Sequence, residues 1–172
     1  MPDAIRKDVD AAPVHSSRRT PCKDNPRHAS LKSHHMLFRL IYVSTMTGPM
    51  SDLDDIVRHS LKKNPRVGIT GGLAVIDGAF LQYLEGEHEE VEALFAAMLH
   101  DPRHSNVRVL ERRAITQRAF PDWAMARLCW NEETKAIFYS FSPGAQPDVY
   151  QIDPSTAAPM FRAWARTSQW QT

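Results

Sequence analysis

Cysteine is nearly absent from this chain. Cys22 and Cys129 are the two present among 172 residues, which excludes a disulfide-rich scaffold and a cysteine metal cluster. They read as free thiols of a reducing cytosol, with a single disulfide between them as the alternative. A run of about 18 apolar residues is also missing, which excludes a membrane-spanning helix. The first residues contain no apolar stretch of the kind a secretory signal needs. Charge of one sign is not in excess: 21 Lys and Arg face 20 Asp and Glu, net +1, so nothing in the overall balance calls for nucleic acid. What is present is 42% hydrophobic and 24% charged residues, the composition of a globular protein with a real core. The length suits one domain with an appendage.

The charge is unevenly spread. Residues 1–35 hold seven Lys and Arg and four Asp and Glu, net +3, and the remainder is net −2. The leading stretch has no sustained period and few large apolar residues, so it cannot bury enough surface to offset the entropy of ordering. It is expected to be a disordered basic tail, a solvated leader ahead of a start at Met36. Its cluster Arg18, Arg19, Lys23, Arg27 and Lys32 is expected to be solvated, with contact to nucleic acid or an acidic partner as the minor alternative. His34 and His35 have no second pair to complete a metal site.

From residue 36 the pattern changes. Leu37–Ser44 is rich in β-branched and aromatic residues and reads as a strand, with Phe38, Leu40 and Tyr42 on one face. Thr47-Gly48-Pro49 ends it. Ser51 is expected to cap a helix carrying Leu53, Ile56, Val57 and Leu61 at helical spacing, ending near Asn64-Pro65 because a residue before proline avoids the α region. Leu73–Ile76 is a second strand and Asp77-Gly78 a hairpin turn. Ala79–Leu84 is a third strand, broken by Gly86. A second helix follows over roughly 88–100, with Val91, Leu94, Phe95, Met98 and Leu99 as its apolar stripe, and Asp101-Pro102 stops it. Val107–Leu110, extending toward Ile115, is a fourth strand. The alternation of Trp123–Trp130 gives a fifth. The order is β-α-β-β-α-β with one strand added, the α+β ferredoxin-like sandwich with two helices on one face. Residues 131–172 carry two apolar segments expected to form short helices over the face left open.

Gln82 falls in the middle of the third strand, where apolar residues flank it. A buried amide without a partner loses on the order of 1–3 kcal/mol, so something must meet it. Tyr42 in the first strand and Asn64 at the first helix end complete an uncharged set of one phenol and two amides, suited to a planar heterocycle. The set does not suit hydrolysis. Ser51 and Ser60 have no evident activating base, and His88, His100 and His104 read as helix-end histidines rather than metal ligands.

The strings FRLIYVS, NPRVGITGGL, FLQYLEG, DPRH and FPDWAM, in that order and at that spacing over residues 36–127, resemble BLUF domains, the blue-light sensors using FAD. Single strings are weak evidence, but five in register are specific. The resemblance implies FAD held between the two helices and no enzymatic turnover. Tyr42 matches the tyrosine that gives an electron and then a proton to the excited flavin. Gln82 matches the glutamine between that tyrosine and the flavin edge, and Asn64 the asparagine on the carbonyl and N3 side. Ile69 and Met98 match the aliphatic pair around the ring. Trp123 and Met125 match the fifth-strand pair that exchange places near the glutamine. Asp101, Arg103 and His104 match the segment near the ribityl and phosphate end. Three positions depart from the family pattern: Ala97 where a basic residue is common, Lys63 where an asparagine is common, and Gly72 in place of a leucine. Ala97 leaves the choice between FAD and FMN open.

The region after 127 resembles the helical extension of short, stand-alone members. The resulting organisation is a tail over 1–35, a flavin-binding domain over 36–130 and a helical cap over 131–172. The implied protein is a cytoplasmic photoreceptor signalling through homo-oligomer contacts and a downstream partner, without membrane or nucleic acid. The alternatives are a light-insensitive ferredoxin-like binding or interaction module and, further off, a small enzyme of acylphosphatase type. The enzyme reading lacks a phosphate loop with paired Arg and Asn.

Overall fold

The computed structural model describes residues 36–172; the expected tail over 1–35 lies outside them. The elements are β1 (Leu37–Met46), α1 (Ser51–Lys63), β2 (Thr70–Ile76), β3 (Ala79–Glu87), α2 (His88–Leu99), β4 (His104–Ala114), β5 (Ala126–Leu128), α3 (Glu132–Phe141), α4 (Pro154–Trp164) and β6 (Trp170–Gln171). The strands form one sheet in the order β4-β1-β3-β2-β5-β6. Neighbours run antiparallel except β2 and β5, which are parallel. The first four strands and two helices are the ferredoxin-like arrangement, because each helix returns the chain across the strand inserted between its two flanking strands.

Period-2 alternation along β1 and β3 divides the core into two halves. Phe38, Leu40, Tyr42, Phe80 and Leu84 pack with Leu53 and Ile56 of α1 and Val91 and Phe95 of α2. Ile41, Val43, Leu81 and Tyr83 point the other way and pack with Phe138 of α3 and Ala157, Met160, Phe161 and Trp164 of α4. The two C-terminal segments are therefore helices covering the second face. Asn131 caps α3: its side chain accepts from Thr134 N, and the Thr134 hydroxyl accepts in return from Asn131 N, a reciprocal box. Asp153 caps α4, accepting from Ser155 N at 2.9 Å, with Pro154 in the first turn.

Three local expectations are corrected, and a fourth holds for a different reason. Ser51 does not cap α1. Met50 is already helical and is the N-cap residue, and the carbonyls of Pro49 and Met50 take the Asp52 and Leu53 N–H groups instead. α1 ends at Lys63, beside Asn64-Pro65 as expected, although Asn64 itself keeps α-region dihedrals before the proline. The chain tightens there into a 3-10 turn over Asn64–Val67, where the proline's missing N–H falls in the first turn and is not needed. Gly86 does not break β3. It pairs with Phe38, and a Cβ there would lie 3.2 Å from both the Gly68 carbonyl and Ile69, so glycine permits the close approach of β3 to the end of the 3-10 turn. The fifth strand is only three residues long, so Trp123 and Met125 precede it rather than belonging to it. The Asp77-Gly78 hairpin stands as expected, both residues having positive φ (47° and 75°).

Candidate functional site

The register of β1 against β3 sets Tyr42 directly opposite Gln82. Both side chains lie on the face toward α1 and α2, where Tyr42 is 1% and Gln82 7% exposed. The Tyr42 hydroxyl donates to Gln82 Oε1, and Gln82 Nε2 reaches Met125 Sδ at 3.7 Å. The amide that the sequence left without a partner is thus held between a phenol and a thioether. Burial, with a smaller contribution from the Asp101 charge, pushes the Tyr42 phenol well above its ordinary pKa of 10.

Tyr42 and Gln82 form part of the lining of a half-open cleft of about 170 Å3 between α1 and α2. Asn64 lines it at the end of α1, 1% exposed. Its Nδ2 donates to the Ala124 carbonyl at 2.8 Å, while its Oδ1 is buried with no partner. Met98 and Ala97 contribute the α2 wall, and Lys63 adds an ammonium near the α1 end. Asp101, Arg103 and His104 all line the cleft. The Arg103 guanidinium binds the Asp101 carboxylate at 2.5–3.1 Å and holds its pKa at about 2. His104 Nδ1 lies 2.9 Å from the Ser44 hydroxyl, and burial lowers its pKa. His88 and His100 go elsewhere, to the Phe38 ring and the Ala96 carbonyl.

Residues 37–126 match the profile of the family described as BLUF, sensors of blue-light using FAD. The chain belongs to the BLUF family. The BLUF domain is a sensory module rather than a catalytic one. Photoactivated adenylate cyclase subunit beta of Euglena longa is 36% identical over 105 residues, which are 59% of this chain and 12% of that protein. The chain thus spans only a small fraction of that relative's length. Among solved structures, the BlsA ground state superposes with a TM-score of 0.72 at 28% identity, over 78% of this chain and 91% of that one. Klebsiella pneumoniae BlrP1 with FMN and cyclic diGMP superposes with a TM-score of 0.50 at 40% identity, over 54% of this chain and 25% of that one.

Of the expected BLUF residues, Tyr42, Asn64, Gln82, Met98, Asp101, Arg103 and His104 line one cleft, and Met125 meets Gln82 behind it. Ile69 is fully buried in the same half of the core but does not line the cleft. Trp123 is on the other side of the sheet, its ring 5.4 Å from both Phe120 and Trp170. Met125 and Trp123 therefore occupy opposite faces. The sequence reading missed Glu85, Arg118 and Trp170. Glu85 is fully buried, following Ala79, Leu81 and Tyr83 on one face of β3, a signal of the same kind as Gln82. Trp170 stands in a two-residue strand, which no periodicity announces.

Proposed function

We propose that this BLUF protein senses blue light through a rearrangement of the Gln82 carboxamide, with Tyr42 supplying an electron and a proton, on FAD held between α1 and α2. The supporting observation is the Tyr42 hydroxyl donating to Gln82 Oε1, both groups buried beside the cleft between α1 and α2. The residues fit a flavin. Asn64 Oδ1, buried and unpartnered, is an acceptor waiting for an N–H donor, and Met98 with Ala97 gives an apolar wall for a flat ring. When bound, the isoalloxazine absorbs blue light and becomes a strong oxidant.

The chain's own groups do the rest. Burial keeps Tyr42 protonated, and a phenoxide in this setting is unfavourable, so loss of its electron is coupled to loss of its proton toward Gln82. Thioether sulfur is a weak acceptor, so the present amide orientation is only loosely held on its NH2 side. Rotation that exchanges Oε1 and Nε2 alters about one net hydrogen bond, about 0.5–1.5 kcal/mol. Two nearly balanced orientations are what a small stimulus can bias.

FAD rather than FMN is the second part of the reading. The FAD choice rests on the family description; Lys63, Arg103 and His59, which line the cleft together, suit the phosphate of either flavin, and Ala97 adds no cation. BlrP1 carries FMN in its named structure, so the point is decided by extracting the flavin and separating it by chromatography. Residues 36–130 are assigned to flavin binding and 131–172 to a helical cap that passes the change to a second copy and to a downstream protein in the cytoplasm. None of the described helices is long and apolar enough to cross a membrane. The deciding experiment is the absorption spectrum of the purified protein before and after blue light. The expected result is a yellow protein whose flavin band moves slightly to the red and returns in the dark; a folded, colourless protein overturns the reading.

A further inference from the structure

Glu85 is the one fully buried carboxylate among the described residues, and the photochemical scheme does not use it. It lies three residues after Gln82 on β3, facing the opposite side of the sheet. Its Oε2 accepts from Ala119 N at 2.9 Å, and its Oε1 from Phe120 N at 2.6 Å and from the Thr70 hydroxyl at 3.3 Å. Arg118, next in the chain, donates to the carbonyls of Gly68 and Glu85 and to the Thr70 hydroxyl at 2.6–2.8 Å. These bonds anchor the start of an irregular segment between β4 and β5. Further along, Gly71 N donates to the Trp123 carbonyl at 3.1 Å and Asn64 Nδ2 to the Ala124 carbonyl at 2.8 Å. The next residue is Met125, whose sulfur meets Gln82 Nε2.

We infer that Glu85 is a positioning residue for the light reaction, holding the 118–125 segment so that Met125 is presented to the Gln82 amide. Both carboxylate oxygens receive N–H donors, which only an acceptor-only group does without conflict. A glutamine at this position has a single acceptor oxygen, so its NH2 must face the amide of Ala119 or Phe120. That conflict lets the segment shift, and the shift is delivered five residues on, at the sulfur. The Gln82 part of the inference rests on the function proposed above; the placement of Met125 by Glu85 does not.

The test combines Glu85→Gln with Met125→Ala and two measurements. In the flavin-free protein, the Met125 methyl resonance of Glu85→Gln should move from its wild-type position. In the flavin-loaded protein, Glu85→Gln should change the dark-recovery rate by about threefold or more. In a Met125→Ala background the same substitution should leave that rate unchanged. A merely structural role gives the full rate change in both backgrounds, and that outcome overturns the inference, as does an unmoved methyl resonance. Where Glu85→Gln does not fold, Glu85→Asp, which keeps two acceptor oxygens but draws them back by one methylene from the Ala119 and Phe120 amides, is read by the same two measurements with the same deciding outcomes. A wild type that takes up no flavin overturns the function proposed above, while the methyl resonance still decides what Glu85 does.

Discussion

Gly72 should not tolerate a leucine. A Cβ at Gly72 would lie 2.8 Å from two ring carbons of Trp170 and 3.4 Å from the Phe120 ring. The first distance is well inside contact, and Trp170 sits on a two-residue edge strand near the end of the chain, so Trp170 yields. Gly72→Leu should therefore expel the indole from its seat against Phe120 and Trp123. An indole releasing about 100 Å2 of apolar contact loses about 2.5 kcal/mol. The bonds from Trp170 Nε1 to the Trp164 carbonyl and from Cys129 N to the Gln169 carbonyl go with it. Freed backbone recovers about 1–2 kcal/mol of entropy per residue. The net destabilisation is about 1–2 kcal/mol, a fall in midpoint of about 2–8 °C for a domain of this size. Denaturant unfolding and the solvent exposure of tryptophan fluorescence measure it. The decisive variant is Gly72→Leu with Trp170→Ala, in which the leucine fills the emptied slot. Its cost should be smaller than the sum of the two single costs by about 1 kcal/mol. Additive costs would show that the ring and the glycine do not share one space, and the reasoning would be wrong.

Gln82→Ala should retain flavin and lose the reversible red shift, measured by difference spectra under blue light; an unchanged photocycle removes the role given to the amide. Tyr42→Phe should retain the flavin band and likewise fail to respond, and a normal response there rules out Tyr42 as the donor. Alkaline pH should unfold the protein. Burial raises the Tyr42 phenol, and burial together with the Glu85 charge raises Tyr83 to about 12. The unfolded chain therefore releases these protons first, and stability that is fully present below pH 10 is lost as pH rises from 10 toward 12. Phenolate absorbance for two of the tyrosines should appear only together with the loss of near-ultraviolet circular dichroism. Arg103→Ala should raise the Asp101 pKa from about 2 toward the ordinary carboxylate range, followed by its carboxyl chemical shift against pH.

The ferredoxin-like order was legible because each element has its own period: twos along β1 and β3, helical spacing along α1 and α2, and an Asp-Gly pair where the hairpin needs positive φ. Gln82 was legible for the opposite reason, as a polar residue that violates the period. Glu85 violates it in the same way and was passed over, because Gly86 was read as the strand's end when it is the place of closest approach. The run from Trp123 to Trp130 shows why alternation is not pairing. It assigns faces only where the chain is an extended strand: a period of two would set Trp123 and Met125 on one face, yet they lie on opposite ones, because ladder partners begin only at Ala126, with β2 on one side and β6 on the other. That Asn64 keeps α-region dihedrals before a proline could not be read locally, and its side chain is held by a carbonyl sixty residues on, at Ala124.

Gln82 is mounted on β3, which is laddered to β1 along its whole length and to β2 along most of it. Met125 rides on an irregular stretch held chiefly by the side chains of Glu85, Arg118 and Asn64, with one backbone bond from Gly71 N to the Trp123 carbonyl, and leads into a strand of three residues. When two bodies of such unequal stiffness push against each other, the compliant one moves. On the function proposed above, a quarrel between amide and thioether should therefore be recorded as displacement on the Met125 side, outward toward the sheet's weak edge rather than inward through its centre.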